Sequence, residues 1–270
     1  REILSIKGEL MKLIVWSFLL LALPLLAADD SGIIGGEDVT AEQHPWVVKI
    51  HYKGKGHCTG SLIGKQWIIT AAHCLATAQA PYTDFTLGAG GDGKLSNLIR
   101  LPGIRQVFIH PNYRGPETTA QDLALIKLSQ PIRQTTTIAP IPMKNTTGVR
   151  MHSGPLGSIT AWGFTDSRGT LPNQLQSLTL PVIRAQELRG PPDYFTKHPE
   201  FMKPGILTMI KEGVTTCRGD SGAGWTMEFE GSPYLIGVHS AGDFCHSIAI
   251  GAEISQSLLW VRTRMLLSGL

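Results

Sequence analysis

The chain has 270 residues, with 24 Lys and Arg against 21 Asp and Glu, a formal net charge of +3 and hydrophobic residues at 42%. That charge is mild, and no basic stripe with interleaved aromatics occurs, so nothing supports a nucleic-acid partner. The length suits one large domain or two small ones.

Taken in chain order, Met11-Lys12 is followed by an almost uncharged apolar run, Leu13 to Leu26, then Ala27-Ala28 and the acidic pair Asp29-Asp30. A positive start, a short apolar stretch and small residues before a cleavage zone form the pattern of a secretory signal peptide over residues 11–28. The run is too short to span a bilayer comfortably. The expectation is an extracellular protein with no membrane association once the signal is removed. Residues 1–10 receive no assignment. Removing residues 1–32 takes away Arg1, Lys7 and Lys12 but also Glu2, Glu9, Asp29 and Asp30, which leaves +4.

From Ile33 onward 238 residues remain. Short runs rich in β-branched residues recur between Gly, Pro and Asn breaks: Trp46 to His51, Trp67 to Thr70, Arg105 to Ile109, Leu123 to Leu128, Ser158 to Trp162, Leu178 to Ile183 and Tyr234 to His239. Such spacing predicts a barrel or sandwich. Only the end of the chain has a helical period: Ile254, Leu258, Val261 and Met265 share one face behind Ser255 as a cap, and the helix is expected to pack against the second half. No internal repeat or low-complexity segment appears. Asn145-Thr146-Thr147 is a glycosylation sequon, with Asn145 as the acceptor.

Secretion makes the four cysteines disulfide candidates, and four allow three pairings. A metal site is disfavoured because no Cys-x-x-Cys pair and no His-Glu-x-x-His stretch is present. No cofactor is implied.

Three stretches carry chemistry: Thr70-Ala71-Ala72-His73-Cys74, Asp122-Leu123-Ala124-Leu125 and Gly219-Asp220-Ser221. They supply an imidazole, a carboxylate and a hydroxyl. A serine hydroxyl is a poor nucleophile near neutrality, so it needs a base, and the base needs a third group to hold its tautomer. Alone, a His between alanines is usually a packed residue and Gly-Asp-Ser-Gly is usually a turn. Together with Ile33-Ile34-Gly35-Gly36, in one order and at these spacings, they resemble the chymotrypsin/trypsin family of serine peptidases. The resemblance runs from about Ile33 to the chain end.

What the resemblance implies is an all-β fold of two six-stranded antiparallel β-barrels with a C-terminal α-helix. The first barrel would occupy about residues 33–135, the second about 145–252 and the helix about 254–267, within a peptidase domain of 33–270. Ser221 would attack a peptide carbonyl in the cleft between the barrels, His73 would act as base and then acid, and Asp122 would orient His73. The N–H groups of Gly219 and Ser221 would bind the oxyanion. Disulfides would join Cys58 with Cys74 and Cys217 with Cys245. In relatives, cleavage before the first Ile frees an amine that pairs with the carboxylate preceding the serine; here that would be Ile33 with Asp220, after loss of a short propeptide, 29–32. Asp30-Ser31-Gly32 offers no Lys or Arg for a trypsin-like activator. The expected partners are protein or peptide substrates and protein inhibitors, and the expected state is a monomer.

For the primary pocket, the resemblance places Thr215 at the floor and Gly242 and Gly251 at the walls, which implies an open, non-tryptic pocket. Ser240-Ala241-Gly242 matches the segment that pairs with substrate backbone, with Ala241 in place of a customary tryptophan. After the nucleophile, Gly222-Ala223-Gly224-Trp225 departs from the usual Gly-Gly-Pro. Thr216 and His239 resemble the pair with which glutamyl endopeptidases hold a substrate carboxylate, and Arg218 adds positive charge at the rim. Preference for Glu or Asp before the cut is one reading; a pocket for large apolar residues is the other. Two alternatives to a serine peptidase stay open at this stage: a non-catalytic binding protein on the same fold and a metal-dependent hydrolase.

Overall fold

Hairpins set the register of the molecule. Lys53 (φ 49°) and Gly54 (φ 74°) form the reversal between the first long strand pair, and Glu230 (φ 53°) and Gly231 (φ 72°) do the same in the second half. Positive φ at both central residues gives the mirror-image turn whose twist matches that of paired strands. The computed structural model describes residues 33–151, 153–164, 170–243 and 245–268. The expected signal peptide and the segment 29–32 lie outside them.

Seven antiparallel strands form the first curled sheet: β2 (Val47–Tyr52), β3 (Lys55–Gly64), β4 (Trp67–Thr70), β5 (Phe85–Ala89), β6 (Ile99–Arg100), β7 (Ile104–Ile109) and β8 (Ala124–Leu128), in the order β6-β5-β2-β3-β4-β8-β7. Its core includes Val48, Ile50, Leu62, Ile68 and Leu125, all with no exposed surface. The second sheet has eight: β1 (Glu37–Val39), β9 (Leu156–Ala161), β10 (Leu175–Pro181), β11 (Ile183–Arg184), β12 (Ile206–Ile210), β13 (Gly224–Phe229), β14 (Ser232–Gly242) and β15 (Ile248–Glu253), in the order β1-β10-β9-β13-β14-β15-β12-β11. Ile159, Leu207, Trp225 and Ile236 fill its core. The mostly β, two-barrel architecture is therefore present as two curled antiparallel sheets, and short edge strands raise the strand counts above six. Although the sequence reading counted residues 37–39 with the first barrel, β1 pairs with β10 of the second sheet.

Short helix α1 (Asp193–Lys197) sits in the loop before β12, where Phe195, Phe201 and Ile206 form a small third cluster. The terminal helix α2 (Leu258–Leu267) follows a single 3-10 turn, Ile254–Ser257. Its position corrects the expectation in two ways. Ile254, Val261 and Met265 pack not on the second half alone but into the cluster that holds the first sheet's core together with Leu235, Val238 and Ala252 of the second, with the Met265 methyl 3.2 Å from where a side chain on Gly64 would begin. Ser255 is not the cap, because its hydroxyl is bonded by Thr146 N and Thr146 Oγ1, each at 2.8 Å. The residue that precedes α2 is Ser257, whose Oγ meets His110 Nε2 at 3.1 Å. Among the described residues, no helix is long and apolar enough to cross a membrane.

Candidate active site

The chain brings His73 to the cleft on a 3-10 turn, Ala72–Cys74, directly after β4. Ala71 and Ala72 are fully buried, and small side chains there let the turn lie flat against the first core. The Cys58–Cys74 disulfide ties the same turn to β3. Asp122 ends a 3-10 segment, Pro116–Gln121, and enters β8 with its side chain 4% exposed. Ser221 lies between the turn at 217–220 and β13.

A close approach of the two sheets joins these pieces. Gly222 has φ +83°, and a Cβ there would stand 2.1 Å from Thr70 Oγ1 and 2.2 Å from Thr59 O. Only glycine fits, and its fit lets the Ser221 turn press on the strand ends beside His73. Thr59 completes the seam: its N donates to Ser221 O at 2.8 Å and its Oγ1 to Gly219 O at 3.0 Å.

Asp122 receives three hydrogen bonds. Oδ1 accepts from His73 N at 2.9 Å; Oδ2 accepts from His73 Nδ1 at 2.7 Å and from Ser240 Oγ at 2.5 Å. The carboxylate therefore assigns the proton to Nδ1, which leaves the Nε2 lone pair free to take a proton. Cys74 Sγ lies 3.8 Å from His73 Nε2 and 3.7 Å from Ser221 O, so the imidazole and the serine share one neighbour. Among the described residues, the Ser221 hydroxyl makes no hydrogen bond. Catalytic contacts of this kind commonly tighten only when substrate is bound.

The backbone N–H groups of Gly219 and Ser221, with Gly219 at φ +93°, donate to no atom of the described residues. Between them Asp220 is fully buried, Oδ1 accepting from Gly163 N at 2.9 Å and Oδ2 from Cys217 N at 2.7 Å. It accepts nothing from Ile33, whose side chain is buried in the second core and whose carbonyl accepts from Gly36 N at 2.6 Å. Burial pushes the Asp220 carboxyl up to about 7, against the opposing pull of the Cys217 N–H, Lys49 and the Gly163 N–H.

Thr215, the expected floor, is tied to the amino-terminal segment by its N–H to Ile34 O at 3.0 Å, and its hydroxyl is buried without a partner. Thr216, next to it in sequence, and His239 on β14 are buried as well. The His239 ring stacks on Trp225 at 6.3 Å and 15°. Among the described residues, its Nδ1 and the Trp225 Nε1 both lack partners. Burial, followed by the neighbouring His73, pushes His239 down to about 3 against the opposing field of Asp122, so the ring is neutral. The two wall glycines are not equivalent. A Cβ at Gly242 would meet Ile248 O at 2.5 Å with Thr216 Oγ1 at 3.7 Å, whereas one at Gly251 would strike the Trp225 ring at 2.9 Å. The indole takes the space that an open pocket would leave at Gly251. Arg218 is exposed, and its carbonyl accepts from Phe164 N at 2.7 Å.

Cys217 pairs with Cys245, the second expected disulfide. Cys58, His73 and Cys74 lie close enough to suggest a metal cluster, but both sulfurs are in the disulfide and cannot act as thiolate ligands. Asn145 is exposed, its Oδ1 accepting from Thr147 N at 2.9 Å. Sequence reasoning missed Lys49 and Tyr194. Lys49 is the one charge inside the apolar run Trp46 to Ile50, which was a readable signal. Tyr194 carried none; its hydroxyl donates to Gly242 O at 3.1 Å from α1.

Residues 33–261 match the Trypsin family. Coagulation factor IX of Cavia porcellus is 29% identical over 235 residues, which cover 84% of this chain and 80% of that protein.

Proposed function

Because this chain belongs to the trypsin family, we propose that it is a secreted serine endopeptidase with His73, Asp122 and Ser221 as its catalytic residues. The observation that carries the reading is the His73–Asp122 contact at 2.7 Å, which holds the ring proton on Nδ1 and leaves Nε2, 3.8 Å from Cys74 Sγ, to accept one. Ser221 Oγ bonds to the substrate carbonyl carbon as its proton passes to His73 Nε2. The carbonyl oxygen becomes an oxyanion, received by the undonated N–H groups of Gly219 and Ser221. Collapse breaks the C–N bond, and the His73 proton leaves with the amine. Water then repeats the sequence on the acyl ester, giving the acid and restoring Ser221. Two disulfides support an oxidising, extracellular setting.

The pocket reading is preference for Glu, then Asp, before the cut. Buried polar atoms without partners are rare in native structures. Thr215 Oγ1 and His239 Nδ1 are two of them, on segments flanking the primary pocket in this reading, and a neutral imidazole still has one N–H to donate. A substrate carboxylate would supply the missing acceptor. Filling of the Gly251 side by Trp225 favours the rival reading, an apolar pocket. Peptides differing only at the residue before the cut decide between them: Glu is expected to exceed Phe in kcat/KM, and the reverse order overturns the acidic pocket.

A further inference from the structure

Lys49 on β2 is fully buried, although lysine is almost never buried without a partner. Two glycines make room for the pair: Gly56 lets the Lys49 stem pass, since a Cβ there would lie 3.3 Å from Lys49 Cε, and Gly163 admits Asp220, whose Oδ1 stands 2.1 Å from where its Cβ would be. Nζ donates to Trp162 O at 3.0 Å. The next atom pair of that same peptide, Gly163 N–H, donates to Asp220 Oδ1 at 2.9 Å. One peptide unit thus links a buried cation to a buried carboxylate, each polarising it in the same sense. Among the described residues, Asp220 is the charge whose field acts on Lys49.

This linkage spans the two barrels and ends at the turn bearing Ser221. We propose that Lys49 is a positioning residue: it supplies the positive charge that holds Asp220 and the Gly219–Ser221 turn in place, so that the chain does not require a freed amine at Ile33. The inference rests on the serine-endopeptidase reading above. It accounts for the absence of Lys or Arg in Asp30-Ser31-Gly32. Asp220 needs a cation in a buried site, and Lys49 is built into the fold before any cut.

The test compares two forms of the wild-type protein, one with residue 32 still joined to Ile33, verified by intact mass, and one beginning at Ile33 after release from a fusion partner. The uncut form is expected to have a kcat within about threefold of the cut form, given that a lost oxyanion donor costs roughly 10²–10³ in rate. An uncut form about a hundredfold or more slower overturns the proposal, and this comparison requires no substitution. Lys49→Met in the uncut form is expected to lower kcat by about 10²-fold with KM changed by less than about threefold. Asp220→Asn is expected to do the same, and the double variant no worse, because the two act as one unit. Unchanged kcat in folded Lys49→Met also overturns the proposal. If neither wild-type form hydrolyses any peptide or reacts with a fluorophosphonate, the serine-endopeptidase reading fails instead, and this inference falls with it.

Discussion

Ser240 Oγ donates to Asp122 Oδ2 at 2.5 Å, so the carboxylate that orients His73 is itself held by a hydroxyl from the opposite sheet. The contact ties β14, in the second sheet, to the entry of β8, in the first. Asp122→Asn removes the charge and misassigns the imidazole proton, and kcat is expected to fall about 10⁴-fold. Ser240→Ala leaves His73 oriented and removes one charge-assisted hydrogen bond, which corresponds to about tenfold in kcat. Steady-state kinetics on one peptide measures both; equal losses from the two variants would show that Ser240 does more than support Asp122.

The approach of the two sheets at Gly222 gives a stability prediction. Gly222→Ala places a methyl 2.1 Å from Thr70 Oγ1 at φ +83°, a clash and a backbone strain together costing about 3 kcal/mol or more. Thermal unfolding is expected to move down by roughly 10 °C for a domain of this size. A shift under a few degrees would mean that the seam beside Ser221 is compliant.

Acid sensitivity follows from two buried imidazoles. His239 is pushed down to about 3, chiefly by burial, and His44 to about 4, by burial alone. In the unfolded chain both would take protons near pH 6.5. Between that pH and the folded values the unfolded state binds more protons, so stability is complete above about pH 7 and is lost as pH falls from about 6.5 to 4. Each imidazole contributes a slope of about 1.4 kcal/mol per pH unit. Denaturant unfolding at a series of pH values measures it, and His239→Phe is expected to reduce the slope by one proton.

The same variant tests specificity. Phenylalanine keeps a ring stacked against Trp225 and removes both nitrogens, so kcat/KM for the Glu peptide is expected to drop by about 10–100-fold while the Phe peptide changes by less than about threefold. Equal effects on both peptides would make His239 a packing residue only.

Much of this arrangement is legible in the residues themselves. Trp67 to Thr70 coincides with β4, and Leu123 to Leu128 overlaps β8, because β-branched and large apolar residues there are buried on both faces. β3 is not legible, since Lys55–Gly64 contains three glycines and little β-branching, features that read as a loop. Those glycines answer to neighbours on other elements: Gly60 to Ile68 on β4 and Gly64 to Met265 on α2. The placement of α2 fails for a related reason. Periodicity identifies which face is apolar but not which barrel offers the matching surface, and Ser255 resembles a cap until Thr146 claims its hydroxyl. His73, Asp122 and Ser221 stand out as a set of residue types in order, whereas Lys49 becomes meaningful only once β2 is seen to face Trp162 and Asp220.

The central claim is that Ser221 is a nucleophile activated by His73. Reaction of the folded protein with a fluorophosphonate, followed by peptide mapping, tests it most directly. One adduct is expected per chain, on the peptide containing Ser221, absent in Ser221→Ala and slowed by at least about 10³-fold in His73→Ala. A folded protein that forms no adduct, or forms it on another residue at an equal rate in Ser221→Ala, contradicts the account.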